Sequence, residues 1–147
     1  MNDPNGLVFH DGRYHLFFQS NPDGAEWGNL SWGHATSADL VHWEEQAVAL
    51  RATDEELVFS GSIVVDERNT AGFAGETALV AIYTAHYTDS SPRARTEAQA
   101  LAFSLDGGTT WTRYAGNPVL ELGVQDFRDP KVFWWGDAGG HWVMATV

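Results

Sequence analysis

The sequence predicts an all-β chain built as part of a β-propeller, and three observations carry that expectation. Apolar residues alternate with a period of two rather than 3.6, and no stretch reads as a long helix; only 37–40 hints at a helical turn. Two features recur. Ser37-Ala38-Asp39-Leu40-Val41-His42-Trp43 returns, one residue longer, as Ser104-Leu105-Asp106-Gly107-Gly108-Thr109-Thr110-Trp111. Asp3-Pro4, an apolar strand, a Gly turn and a second apolar strand return as Asp129-Pro130 followed by 131–135, 136–140 and 142–146. A strand opening at Phe59 lies about halfway between, so the unit is roughly sixty to seventy residues, of about four strands. Four-stranded antiparallel sheets repeated around a ring make a propeller, and this length gives about two blades and the start of a third.

The elements follow in order. His10-Asp11-Gly12-Arg13 is a turn between apolar runs at 7–9 and 14–19, which predicts a hairpin. A loop rich in Gly, Pro, Asn and Asp at 20–24 leads to Trp27. Further strands are expected at 30–36, 42–50, 59–65, 78–84, 98–103, 111–114 and 131–135, with a strand-like run at 142–147. Ser104 to Trp111 spells Ser-x-Asp-x-Gly-x-Thr-Trp, the Asp box of several propeller families. Its Asp accepts backbone N–H groups within the turn, its Gly permits positive φ and its Trp packs between sheets, so Asp106 reads as structural.

Composition narrows the function. A net charge of −12, from 8 Lys and Arg against 20 Asp and Glu, repels phosphate backbones and anionic lipid. Nucleic acid and membrane surfaces are therefore not expected partners, and a neutral substrate is. Seven Trp, eight Phe and four Tyr supply rings that favour strands and form stacking floors for sugars. The absence of Cys excludes a disulfide, a thiolate zinc site and a thiol nucleophile within these residues. His10, His15, His34, His42, His86 and His141 have no metal-ligand spacing and no oxygen-ligand loop is spelled, so neither metal nor cofactor is expected. Oligomeric state and location do not follow from the residues.

The opening Met1-Asn2-Asp3-Pro4-Asn5-Gly6 holds the first candidate for chemistry. Pro4 is expected to push Asp3 into an extended conformation, and Asn5-Gly6 tolerates positive φ before the apolar run begins. Alone, the motif is a turn. With Asp129-Pro130 it becomes half of a pair, because in a propeller the lips of the innermost strands converge on one pocket. Asp3 and Asp129 would face one another across the same channel end. Paired carboxylates in an aromatic pocket suit glycoside hydrolysis, one as nucleophile or stabiliser and another as acid. The repeat also leaves room for two strand-entry caps.

The chain resembles glycoside hydrolase family 32, the invertases, levanases, inulinases and other β-fructofuranosidases. The resemblance covers essentially the whole chain. It rests on Met1-Asn2-Asp3-Pro4-Asn5-Gly6, Phe17-Phe18-Gln19-Ser20-Asn21-Pro22, Trp27-Gly28-Asn29, Trp32-Gly33-His34-Ala35-Thr36-Ser37, Leu40-Val41-His42-Trp43, Phe59-Ser60-Gly61-Ser62 and Phe127-Arg128-Asp129-Pro130-Lys131-Val132. It implies a five-bladed propeller and a retaining reaction on fructosyl linkages of sucrose, levan or inulin. It further implies Asp3 as nucleophile, Asp129 as transition-state stabiliser and Arg128 beside it. Asn2, Gln19, Trp27, Phe59 and Ser60 match family positions lining the fructosyl subsite, although Trp27 and Phe59 as isolated aromatics also suit a blade core. Arg128 is expected to keep its carboxylate neighbours ionised.

One departure is specific. The family's general acid is a Glu followed by Cys beyond the Arg-Asp-Pro motif, and this sequence has no Cys; Glu121 and Asp126 do not match that position. The chain opens inside a motif and closes on a strand-like run without an exit turn, so it is expected to be the N-terminal part, residues 1–147, of a single propeller domain truncated at both ends. Two other readings stand beside this one: another five-bladed glycosidase of arabinanase or xylosidase type, and a non-catalytic carbohydrate-binding propeller. Phe59-Ser60-Gly61-Ser62 and Arg128-Asp129-Pro130 argue against the first.

Overall fold

The computed structural model describes residues 1–73, 77–137 and 139–147. Among these the ordered elements are all strands: β1 (Pro4–His10), β2 (Arg13–Ser20), β3 (Ser31–Ser37), β4 (Trp43–Glu45), β5 (Glu56–Asp66), β6 (Ala78–Tyr87), β7 (Glu97–Ser104), β8 (Thr112–Arg113), β9 (Leu120–Glu121), β10 (Lys131–Trp135) and β11 (His141–Ala145). They form an antiparallel sheet β1-β2-β3-β4, a second sheet β5-β6-β7-β8 with β9 also on β7, and the pair β10-β11. This is a partial propeller of two blades and the opening hairpin of a third.

The β1–β2 hairpin closes through Asp11 and Gly12 at φ 48° and 77°, the left-handed pair that matches the twist of the strands. Large rings of the first blade, Phe17 and Trp32, pack against the alanines of the second, Ala81, Ala85, Ala98, Ala100 and Ala102. The small residues let the sheets approach, and the rings fill the gap. On β6 the next residues along, Val80 and Ile82, turn to the opposite face and meet Val132, Trp142 and Met144 of the third hairpin. Burial on both faces explains why nearly all of β6 is buried while β1 exposes Leu7 and Phe9.

The two recurring turns are built alike. Ser37 Oγ accepts from Leu40 N at 2.8 Å, Asp39 Oδ1 accepts from His42 N at 2.8 Å, and Trp43 Nε1 donates to Leu40 O at 3.1 Å. In the second copy Ser104 Oγ accepts from Gly108 N at 2.8 Å, Asp106 Oδ1 from Thr110 N at 2.8 Å, and Trp111 Nε1 donates to Gly108 O at 3.1 Å. The expected helical turn at 37–40 is therefore a side-chain-capped turn, with Leu40 at φ 65°.

The outermost strands differ most from expectation. The strand anticipated at 42–50 is ordered only over Trp43–Glu45, after which Leu50 returns to bridge Trp32. The strand anticipated at 111–114 shrinks to Thr112–Arg113. Beyond it the Asn117 amide bonds both backbone groups of Leu101, at 2.8 Å each, the carbonyl also accepting from Tyr114 N at 2.9 Å, and β9, not anticipated, resumes pairing. The strand expected at 59–65 begins earlier, at Glu56, and its register shifts between Val58 and Gly61. The strand-like run at 142–147 ends at Ala145, and Val147 pairs instead with both backbone groups of Arg128, at 2.9 and 3.1 Å.

Two predictions follow from this packing. A Cβ on Gly61 would lie 2.0 Å from the Ile82 carbonyl oxygen, so Gly61→Ala is expected to lower stability by about 1–3 kcal/mol, read as a lower thermal unfolding midpoint. The buried His34 ring is stacked on Phe17 and lies 3.1 Å from His15 Nδ1; burial first, then the neighbouring His15, pushes it from 6.5 down to about 4. Between those values the unfolded chain binds more protons, so stability is full above about pH 6.5 and falls as the pH drops toward 4. Thermal unfolding across that range should show a smaller acid loss in His34→Gln than in the parent.

Candidate active site

Asp3 is held by main chain on both sides. Asn2 N donates to Gln19 O at 2.8 Å and Gln19 N to Asp3 O at 2.9 Å, which carries the β1–β2 ladder past the register shift at Pro4–Gly6. Asn5 occupies that irregularity with its side chain buried; with its amide oxygen inward it shares the one Trp32 Nε1 hydrogen, at 2.9 Å, with the Phe59 carbonyl at 3.0 Å. Gly6 lets the inner strands of the two blades touch, since a Cβ there would fall 2.8 Å from Ile63. That approach brings β5 to the carboxylate. Ser60 Oγ donates to Asp3 Oδ2 at 3.1 Å, and Gln19 Nε2 donates across the blades to Val58 O at 2.9 Å.

Asp129 is positioned differently. Its φ is 59°, left-handed rather than extended, so an Asp before Pro does not have one backbone shape in this chain. Such backbone costs about 1–3 kcal/mol and persists only where surroundings over-determine it. They do so here: Asp129 N donates to Thr84 Oγ1 at 2.9 Å, Pro130 is buried, and Arg128 is clamped through its main chain by Val147 and through its carbonyl by Thr146 Oγ1 at 2.7 Å.

These segments enclose a cleft of about 500 Å³ lined by Asn2, Asp3, Gln19, Trp27, Leu30, Phe59, Ser60, Arg128 and Asp129. All eight residues singled out in the sequence meet there, with Leu30 added. Trp27 is 73% exposed, so it forms a wall and not core. Phe59 lies flat on the His86 ring, centroids 4.4 Å apart and planes at 10°. Thr84, His86 and Glu97 lie behind the lining without a signal in the sequence; Thr84 and His86 end the apolar run of β6 and Glu97 opens β7.

Burial pushes the Asp129 carboxyl above its ordinary value; Arg128 opposes this, while Asp3 and Glu97 add to it. Arg128 thus acts in the expected direction, but burial outweighs it. The cleft offers two carboxylates differing in environment, a guanidinium, amides and aromatic walls, a set suited to a polyhydroxylated neutral ligand. Among the described residues no three His, Cys, Asp or Glu side chains gather to hold a metal ion.

Fold and cleft together define a segment of a β-propeller with an acidic, aromatic-walled pocket at one end of its blades. The chain belongs to the glycosyl hydrolases of family 32, whose N-terminal domain model matches residues 1–147. It is 52% identical over 168 residues to the extracellular exo-inulinase of Aspergillus niger, covering 99% of this chain and 31% of that protein. It is 52% identical over 150 residues to the levanase of Bacillus subtilis (strain 168), covering 100% of this chain and 21% of that protein. The solved fructofuranosidase of Schwanniomyces occidentalis complexed with fructose superposes with a TM-score of 0.88 at 48% identity, over 99% of this chain and 29% of that one. The chain thus spans about a third or less of the length of these relatives.

Replacing Thr84 by Val keeps its shape in a fully buried position and removes the acceptor for Asp129 N. The expected loss is about 1–3 kcal/mol in unfolding free energy. Faster hydrogen exchange at the Asp129 amide would accompany it; unchanged exchange would mean that Thr84 does not hold this segment.

Proposed function

We propose that the protein carrying this chain hydrolyses fructosyl linkages, of sucrose or a fructan, with retention of configuration, and that residues 1–147 are the N-terminal part of its catalytic propeller. The observation that carries this reading is the meeting of Asp3 and Asp129 in one cleft with Gln19, Trp27 and Arg128 around them. Asp3 attacks the anomeric carbon and forms an ester to the fructosyl unit, which water then opens. The Ser60 hydroxyl, 3.1 Å from Oδ2, fixes which oxygen is free to attack. Asp129 accepts hydrogen bonds from sugar hydroxyls that tighten as the ring flattens, and Arg128 balances the charge of the pair. Asn2 and Gln19 bind hydroxyls, while Trp27 and Phe59 face the apolar side of the ring.

Both cleft carboxylates are occupied by these roles, so the proton for the leaving oxygen comes from a third acid outside the cleft lining. Loss of general-acid help is typically worth about 10²–10⁴ in rate. The 147-residue chain by itself is therefore expected to have no useful fructosidase activity. In the full-length protein, Asp3→Asn keeps the side-chain shape and removes the nucleophilic charge. Fructose release from sucrose and inulin should fall on the order of 10³-fold or more with thermal unfolding unchanged. Turnover near that of the parent by a folded Asp3→Asn variant would sink the assignment.

A further inference from the structure

Behind the cleft lies a buried carboxylate that its lining does not include. Glu97 opens β7 opposite His86 on β6, and its side chain is 4% exposed. One oxygen, Oε1, lies 3.0 Å from His86 Nδ1 and 3.6 Å from an Arg128 guanidinium nitrogen; the other, Oε2, is buried without a hydrogen-bond partner. A carboxylate buried in this way costs stability unless its pairings return something, and a strand start can be made without it. One of its partners lines the cleft and the other supports its wall. Arg128 lines it beside Asp129, and the His86 ring carries Phe59 flat against it.

The chemistry of each contact is directional. A carboxylate only accepts, so His86 Nδ1 is the donor, which fixes the tautomer and the plane of the ring under Phe59. Arg128 has another anchor, Asp126 at 2.5 Å, but that residue is exposed and only two positions away on the same loop. A solvated local ion pair moves with its loop and does not set where the guanidinium lies. A buried anion on a neighbouring strand does.

The geometry points to Glu97 as a positioning residue: its one carboxylate holds Arg128 beside Asp129 and, through His86, sets Phe59 at the wall of the same cleft. The inference rests on the fructosyl-hydrolysing reading above and extends it to a residue that does not touch the sugar. The charged groups around Asp129 are Asp3 at the start of β1, Glu97 on β7, and Arg128 and Asp126 on its own segment, with His86 on β6 beyond Glu97. Within this group, positioning and simple proximity have opposite consequences. As a neighbouring charge, Glu97 raises the proton affinity of Asp129, so neutralising it would lower that affinity. As the tether of Arg128, its loss withdraws the cation and raises the affinity instead.

The pH profile of kcat/KM separates the two, since its acid limb reports the ionisation of the carboxylate pair in the free enzyme. In the full-length protein, Glu97→Gln is expected to move the acid limb to higher pH by about 0.5 unit or more. It should also lower kcat/KM at the optimum by about 10- to 100-fold, as displaced binding groups do. A folded Glu97→Gln variant whose limb stays in place or moves to lower pH overturns the inference. Should that variant fail to fold, Glu97→Asp keeps the charge but draws it back by one methylene; a smaller move in the same upward direction supports the inference and an unmoved limb overturns it. Asp129→Asn, measured alongside, separates the two levels. Turnover by Asp129→Asn near that of the parent removes the fructosidase reading and this inference together, whereas an inactive Asp129→Asn with an unmoved Glu97→Gln limb removes the inference alone.

Discussion

The contact between the first and second blades is the interaction on which the rest depends. Phe17 and Trp32 reach across into a bed of alanines, and two polar links fix the register of the approach: Gln19 Nε2 to Val58 O and Trp32 Nε1 to Phe59 O at 3.0 Å. Apolar burial supplies the attraction without direction, and the two hydrogen bonds supply direction. Gly6 and Gly61 mark where backbones come too close for a side chain. Because Val58, Phe59 and Ser60 are consecutive, the same docking that buries Trp32 also presents Ser60 to Asp3 and Phe59 to the cleft. Packing and site construction are one event at this seam.

The second half of the cleft depends on a different device. Asp129 sits on left-handed backbone, with its amide on Thr84 and Arg128 paired to Val147. Main-chain and side-chain bonds from β6 and from the end of the third hairpin together hold a conformation that no single contact would. One carboxylate is thus set by strand pairing and the other by a clamped loop. Their environments differ accordingly, and burial raises the proton affinity of Asp129.

How much of this was legible depended on whether the signal was local. The Asp11-Gly12 hairpin and the Asp106 turn could be read because their residues demand positive φ or carry their own hydrogen-bond acceptor. The outer strands come out shorter than their residues suggest: Trp111 looks like a strand residue, whereas its indole bonds back to a turn carbonyl, and past Glu45 the chain leaves the ladder until Leu50 bridges Trp32. The replacement of strand by the Asn117 amide leaves no periodic trace at all. At the site, the repeat and the resemblance pointed to Asp3 and Asp129 with their lining. Thr84, His86 and Glu97 escaped because their partners are distant in sequence and a polar residue within an apolar strand carries no mark of what it bonds. The shape of Asp129 escaped too, since the bias of a residue before Pro yields to tertiary bonds of this number.

In the function proposed above, Asp3 takes up a fructosyl unit covalently in a cleft shared by adjacent blades. The most direct measurement is acid quenching of the full-length protein during turnover of a fructoside, followed by proteolysis and mass mapping. One fructosyl unit is expected on the peptide that contains Asp3, and none on the Asp3→Asn protein. An adduct on another carboxylate would contradict it, as would the absence of any adduct from a protein lacking its general acid–base that still turns over a fructoside whose leaving group needs no protonation.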